Sequence, residues 1–403
     1  MPIDNLVVNI KDSQEIEKDH KFWNTQPVLA IGEKIEGDVN GPIKESQDVA
    51  NVRPEPYAIP AGFEWCDIDV TNPTEVDELY HLLKENYIED KECMFRLDYS
   101  VPFLHWALTP PGYNKAWLVG VRNQKTNCLM GCITAVPIHV RVFDVVRPMA
   151  EINFLCVHKK LRTKRLVPVL IKEITRRVNL SDRWQAIYTT PVVLPKPVAT
   201  CRYAHRSLNP KKLIESKFSH LPRTVSMANH IESLKLASKQ ANFMLRPMTE
   251  VDVPGVLALL SVYLASTTNF GQVFTADEVA HIFLPKAGVI STYVIDGPNN
   301  TITDMCSYYH LSLTITKHNK HKKLYTVYSY YNIATTIPLL DLMRDLLIIA
   351  RNDGADCFTA LDVMENQTVF EPLKFGLGGV LQYYVYNWKC QSMTPDKIGI
   401  VLV

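Results

Sequence analysis

From Gly62 onward the apolar positions alternate between strand and helix periods. Phe63, Trp65 and Ile68 read as a strand, and Val76, Leu79, Leu82 and Leu83 follow at helical spacing, with Thr71 placed to cap them. Further strands are expected over 117–122, 130–137 and 185–193, then over 292–295, 305–309 and 325–332. A helix carrying Val256, Leu259 and Leu260 follows Asp252, a residue fit to cap it. A longer one runs from Pro338 to Asn352 and presents Leu339, Leu342, Met343 and Leu346 before Gly354 stops it. Leu259 and Leu260 occupy the place in their unit that Leu82 and Leu83 occupy in theirs, a faint sign of internal duplication. Strands alternating with helices predict an α/β (α+β) fold built on a mixed sheet.

The densest chemistry lies between Glu151 and Val178. Ile152, Phe154, Leu155 and Val157 suit a strand with little exposed surface, and Lys159, Lys160, Arg162, Lys164 and Arg165 follow within seven residues. Pro168 stands where a first helical residue is expected, and Leu170, Ile171, Ile174 and Val178 then share one helical face. Strand, basic turn and helix start together make an anion site, because free N–H groups and the positive dipole end face a phosphate. The plainer alternative is a solvated charge run.

Charge places that basic turn in context. Lys plus Arg total 43 against 42 acidic residues, so no global basic excess points to nucleic acid. At 403 residues two core units are expected. The nine cysteines show no C-x-x-C pairing, which favours free thiols in a reducing compartment, and the chain is read as cytoplasmic. No apolar run of the ~20 residues that span a bilayer is expected.

Familiar catalytic sets are poorly represented. Cys156 and His158 could face each other on a strand, though a buried thiol beside a surface imidazole is the simpler reading. His318 and His321 read as part of an exposed basic loop, and Gly376, Gly378 and Gly379 as a tight turn. No metal site is expected.

Three stretches carry a resemblance. EINFLCVHK with its basic turn, KFGLGGVLQYYVYNW at Lys374–Trp388 and HKFWNTQPV at His20–Val28 resemble the signatures of the glycylpeptide N-myristoyltransferase family, and the likeness runs from about His20 to Val403. It implies two acetyltransferase-like (GNAT-like) halves, related by a pseudo-twofold axis, around a saddle-shaped sheet flanked by helices. Residues 1–50 would form an N-terminal arm with an acyl-CoA-contacting segment, 51–230 an acyl-CoA-binding half and 231–403 a peptide-binding half. The implied reaction moves myristate from myristoyl-CoA, a co-substrate with no separate cofactor, to an N-terminal glycine amine. Partners would be myristoyl-CoA and glycine-initiated peptides or proteins, with no nucleic acid, and the chain would act as a monomer.

The resemblance also implies roles. The main chain at Phe154 and Leu155 would hold the oxyanion, and the α-carboxylate of Val403 would be the base. Acyl-CoA contacts would come from Lys21, Phe22, Trp23, Leu155, Cys156, Val157, Arg162, Thr163, Lys164, Arg165, Leu166 and Val167. The acceptor groove would use Tyr87, Asp90, Tyr99, Asn153, Tyr188, Thr189, Tyr203, His205, Ser307, Tyr328 and Leu402. Against the usual family pattern, the glycine turn lacks an acid, Lys91 interrupts an acidic run, Ala204 stands where Trp is common and Pro191 replaces Gly. Two alternatives stand beside this reading: another CoA-dependent N-acyltransferase with a shorter chain or lysine acceptor, and a non-catalytic binder of lipidated peptides.

Overall fold

A computed structural model describes residues 21–30, 32–88, 94–241 and 244–403. The first half of the chain supplies β1 (Phe63–Asp67), β2 (Leu118–Asn123), β3 (Leu129–Val142), β4 (Val145–Val157), β5 (Ala186–Thr190) and β6 (Ala199–Ser207). From the second half come β7 (Arg246–Pro247), β8 (Ile290–Asp296), β9 (Ile302–His310), β10 (Thr326–Ile333), β11 (Cys357–Leu361) and β12 (Gly376–Tyr386). They lie side by side in the order β1-β2-β3-β4-β5-β12-β6-β11-β10-β9-β8-β7. Phe270–Gln272 and Ile398–Gly399 pair off this path and complete a 14-stranded sheet among the described residues.

That order is a palindrome. Exchanging each strand of one half for its counterpart in the other (β1 for β7, β2 for β8, and so on) reproduces the same series read backwards. The pairing senses agree: β4–β5 and β10–β11 are parallel, and the remaining pairs along the path are antiparallel. A pseudo-twofold axis therefore passes between β12 and β6. Each half sends its last strand across that axis, so β12 pairs with β5 and β6 with β11. The halves share one continuous sheet.

Helices repeat the symmetry. Pro73–Asn86 (α1), Val101–Leu108 (α2) and Leu166–Asn179 (α3) are matched in order by Val253–Thr267 (α4), Ala276–Phe283 (α5) and Leu339–Asn352 (α6). From α3, Leu170, Ile174 and Val178 bury against Val121, Ile133 and Val157 of the sheet. From α6, Leu342, Met343 and Leu346 pack with Tyr308 and Phe358. The buried Glu173 of α3 accepts from Arg176 (2.7 Å) and Arg177 (2.8 Å) of the same helix and from the Tyr57 N–H (3.1 Å), which ties the helix to the segment ahead of β1.

Local expectations were revised in several places. Asn72, rather than Thr71, caps α1 by accepting the Thr74 N–H at 3.0 Å, because Thr71 already bonds the Asp69 carboxylate. Asp252 sits in a 3-10 turn ahead of α4 and takes the Thr249 N–H at 2.7 Å. Pro168 is the third residue of α3 and not the first. That place costs no hydrogen bond either, since the first four helical N–H groups have no partner inside the helix. Residues 250–267 prove long and apolar enough to cross a bilayer by length and composition, contrary to the expectation. Here Val256, Leu260, Tyr263 and Leu264 from this segment are buried in the protein core.

The glycine turn is also different. Gly376, Gly378 and Gly379 belong to β12, whose register against β6 shifts between Leu377 and Val380. A Cβ on Gly378 would fall 2.3 Å from His205 Nε2, so the close approach of the two strands requires glycine there.

Candidate active site

A cavity of about 400 Å³ opens where the two halves meet, reaching β4, α3, β5, β6, β10, β12 and the last residues of the chain. One wall is apolar, from Ile133, Ile152, Ile171 and Ile174. The other is rich in tyrosine.

Between these walls β4 bulges. Its register against β3 passes from Thr134↔Asn153 to Cys132↔Cys156, so Phe154 and Leu155 together oppose Ile133 alone. Phe154 has φ +46°, a left-handed conformation that is uncommon outside glycine and costs about 1–3 kcal/mol. Packing holds it there: the ring is buried, 5.1 Å from Tyr99 and 6.1 Å from Tyr87. The bulge carbonyls are occupied, since Asn153 O accepts from Thr134 Oγ1 (3.0 Å) and Phe154 O from Cys132 Sγ (3.1 Å). A bulge leaves its extra residue out of the ladder, and a left-handed residue can turn successive N–H groups to one side, an anion-binding concavity. Phe154 and Leu155 both line the cavity.

The symmetry-related strands β9 and β10 carry a second bulge, where Tyr330 and Tyr331 oppose Ser307. This one is closed. Ser307 Oγ accepts the Tyr331 N–H and donates to Tyr331 O, both at 3.0 Å. Ser307 is fully buried and does not reach the cavity.

After β4 the chain makes a 3-10 turn over Lys159–Lys164 and enters α3 through Arg165, which has φ +54° and offers no side-chain cap. The turn is braced from α1: Asn86 Oδ1 accepts the Lys159 N–H (3.1 Å), and Asn86 O accepts from Arg162 (2.5 Å). Arg162, Thr163, Lys164, Arg165 and Val167 are exposed around this helix start, while Cys156, Val157 and Leu166 point into the core. Burial pushes the Cys156 thiol up to about 12, and His158 Nδ1 already accepts the Lys160 N–H, so these two make no nucleophilic pair.

At the other end, Trp23 from the N-terminal arm stacks on Tyr188 at 5.9 Å, and Tyr188 on Tyr384 at 5.0 Å. Trp23 lines the cavity; Phe22 packs edge-on against it at 5.2 Å, and Lys21 is exposed. Tyr87, Tyr99, Asn153, Tyr188, Thr189, Tyr203, His205, Tyr328 and Leu402 all reach the cavity. Asp90 and Lys91 lie outside the described residues. Burial drives the His205 imidazole down to about 3, keeping it neutral; Nδ1 meets Thr359 Oγ1 at 2.9 Å and Nε2 has no hydrogen-bond partner among the described residues.

The chain's last residues are tied in before they reach the site. Ile398–Gly399 pairs with Phe270–Gln272, and the Tyr383 hydroxyl donates to Ile400 O at 3.0 Å. Leu402 and Val403 then enter the cavity wall. Sequence reasoning gave no role to Glu151, which accepts from the cavity residue Asn153 at 2.7 Å, and it read Ile171 and Ile174 only as helix packing. Their shared helical face was the available signal.

Comparisons with known proteins agree in both halves. The family model for the myristoyl-CoA:protein N-myristoyltransferase N-terminal domain matches residues 42–201, and that for the C-terminal domain matches 215–401. Glycylpeptide N-tetradecanoyltransferase 2 of Bos taurus is 50% identical over 384 residues, covering 95% of this chain and 76% of the relative. The glycylpeptide N-tetradecanoyltransferase of Plasmodium falciparum is 46% identical over 99% of this chain and 96% of its own. The crystal structure of Saccharomyces cerevisiae N-myristoyltransferase with bound myristoyl-CoA superposes with a TM-score of 0.92 at 38% identity, covering 96% of this chain and 100% of that one.

Proposed function

Because this chain belongs to the myristoyl-CoA:protein N-myristoyltransferase family, we propose that it transfers the myristoyl group of myristoyl-CoA to the N-terminal glycine amine of acceptor peptides and proteins. The observation that carries the reading is the open bulge at Phe154–Leu155, which lines one cavity together with the chain's last residues and is followed directly in the chain by the basic start of α3.

A thioester is already activated, so no side-chain nucleophile is needed. The amine nitrogen attacks the thioester carbon, the C–N bond forms, and negative charge gathers on the former carbonyl oxygen. The N–H groups of Phe154 and Leu155 hold that oxygen in a site fixed before the reaction. The C–S bond then breaks and releases CoA. An α-ammonium must lose a proton before it can attack, as its usual pKa is about 8. The proton acceptor in this reading is the α-carboxylate that Val403 carries when it ends the chain, since Val403 lines the same cavity. Arg162, Lys164, Arg165 and the uncapped N–H groups of α3 receive the CoA phosphates. The acyl chain lies along the apolar wall, and the tyrosine-rich wall receives the peptide.

Cytoplasmic location fits the free thiols, among them the exposed Cys128, which a reducing compartment preserves. A formal charge of +1 leaves no basic excess to attract nucleic acid. The test is mass spectrometry of a glycine-initiated peptide incubated with myristoyl-CoA beside an alanine-initiated control. A gain of one myristoyl group on the glycine peptide alone is expected. No gain on it would overturn the proposal.

A further inference from the structure

Glu151 is a half-buried carboxyl to which the mechanism above gives no role. It sits on β4 opposite Val136 of β3 and Ile187 of β5, just ahead of the bulge. Asn153 Nδ2 donates to Glu151 Oε1 at 2.7 Å, and Asn153 lines the cavity beside Phe154 and Leu155. We propose that Glu151 is a positioning residue: it sets which atom of the Asn153 amide faces the cavity, and thereby whether the site accepts from or donates to the acceptor amine. This inference rests on the functional reading above and deepens it.

The argument is one of donors and acceptors. A carboxylate only accepts, so an ionised Glu151 takes the Asn153 N–H and leaves Oδ1 for the cavity. An amide oxygen there can accept from the ammonium or amine of the acceptor glycine. A protonated Glu151 can instead donate to Oδ1, which turns the NH2 group toward the cavity. That group has nothing to accept an ammonium's protons with, so the glycine end is repelled.

The surroundings poise the carboxyl for this change. Burial pushes it up to about 7, against the hydrogen bond from Asn153, which acts to lower it. The charged or titratable groups known to feel its field are Tyr330 and Tyr331 of β10, and burial raises both phenols so far that they stay neutral. Asn153 does not titrate. A carboxyl near neutrality therefore couples proton uptake to the orientation of one cavity amide. Affinity for a glycine-initiated peptide should rise as pH climbs through that range.

The experiment measures peptide Kd and kcat/KM against pH, over about pH 5.5 to 8.5, in the wild type, Glu151→Gln and Asn153→Ala. Myristoyl-CoA affinity is measured alongside as a check on folding. In Glu151→Gln the lower inflection in peptide Kd should disappear and affinity at high pH should fall by about tenfold, the scale of one hydrogen bond to a charged group. Asn153→Ala should remove the inflection as well, because the amide that carries the carboxyl's protonation state to the cavity is gone. Glu151→Gln with wild-type affinity and an unmoved inflection would overturn the proposal. If Glu151→Gln fails to bind myristoyl-CoA, Asn153→Ala decides, and an unmoved inflection there overturns it equally. A wild type that binds peptide without acylating it would sink the functional reading instead, leaving this inference to be judged on Kd.

Discussion

Two bulges of the sheet stand at symmetry-related places and have different fates. In each, two residues of one strand oppose a single residue of its neighbour: Phe154 and Leu155 face Ile133, and Tyr330 and Tyr331 face Ser307. The serine hydroxyl occupies both the N–H and the carbonyl of Tyr331. Isoleucine has no group with which to do the same. Only the Ile133 bulge holds a left-handed residue and opens on the cavity. An internal duplication thus supplies two copies of one backbone device, and a single side chain across the ladder decides whether it is used for structure or left for a ligand.

The largest effect should come from making the open bulge resemble the closed one. Ile133→Thr places a hydroxyl where Ser307 stands in the other half, and it should compete for the bulge N–H groups. We expect kcat to fall by about 10²-fold, the usual size of a lost oxyanion donor, while Ile133→Val stays near wild type. Equal rates in the two variants would break the comparison. The reverse change, Ser307→Ala, strands a buried N–H and should cost about 1–3 kcal/mol in denaturant unfolding with kcat little altered. A large loss of kcat with intact stability would show that the second bulge also takes part in the reaction.

Gly378→Ala tests the peptide wall and spares the bulge. Its Cβ would meet His205 Nε2 at 2.3 Å, and relief of that overlap should raise peptide KM by about tenfold, within the 1–3 kcal/mol of overpacking, with myristoyl-CoA affinity unchanged. The smallest effect concerns how α3 is held behind the open bulge. Burial pushes the Glu173 carboxyl up, but Arg176, Arg177 and the Tyr57 N–H hold it below its usual value overall. A depressed folded pKa contributes stability above the unfolded value of about 4.3, and this is lost as pH falls through the folded value. Thermal unfolding should therefore differ most between wild type and Glu173→Gln near neutral pH, and the gap should narrow in acid.

Legibility from sequence followed the range of the forces involved. The strand, basic turn and helix between Glu151 and Val178 were readable because charge density and apolar period are local. So was the hint of duplication at Leu82–Leu83 and Leu259–Leu260, which lie on the symmetry-related helices α1 and α4. The bulge was not readable as geometry. Phe154 sits in an apolar run that suits an ordinary strand, and its φ depends on Tyr87 and Tyr99, more than fifty residues away in sequence. Gly378 misled for the same reason, since its close neighbour is His205 across the ladder and not a residue of a local turn. The resemblance placed Ser307 in the acceptor groove, whereas the structure buries it in the second bulge.

The most direct test of the central claim is a crystal structure of the protein with a non-hydrolysable myristoyl-CoA analogue. The account predicts the oxygen that replaces the thioester carbonyl within about 2.7–3.1 Å of the backbone nitrogens of Phe154 and Leu155. An oxygen held elsewhere, with those N–H groups bonded to protein or turned away from it, would contradict the account.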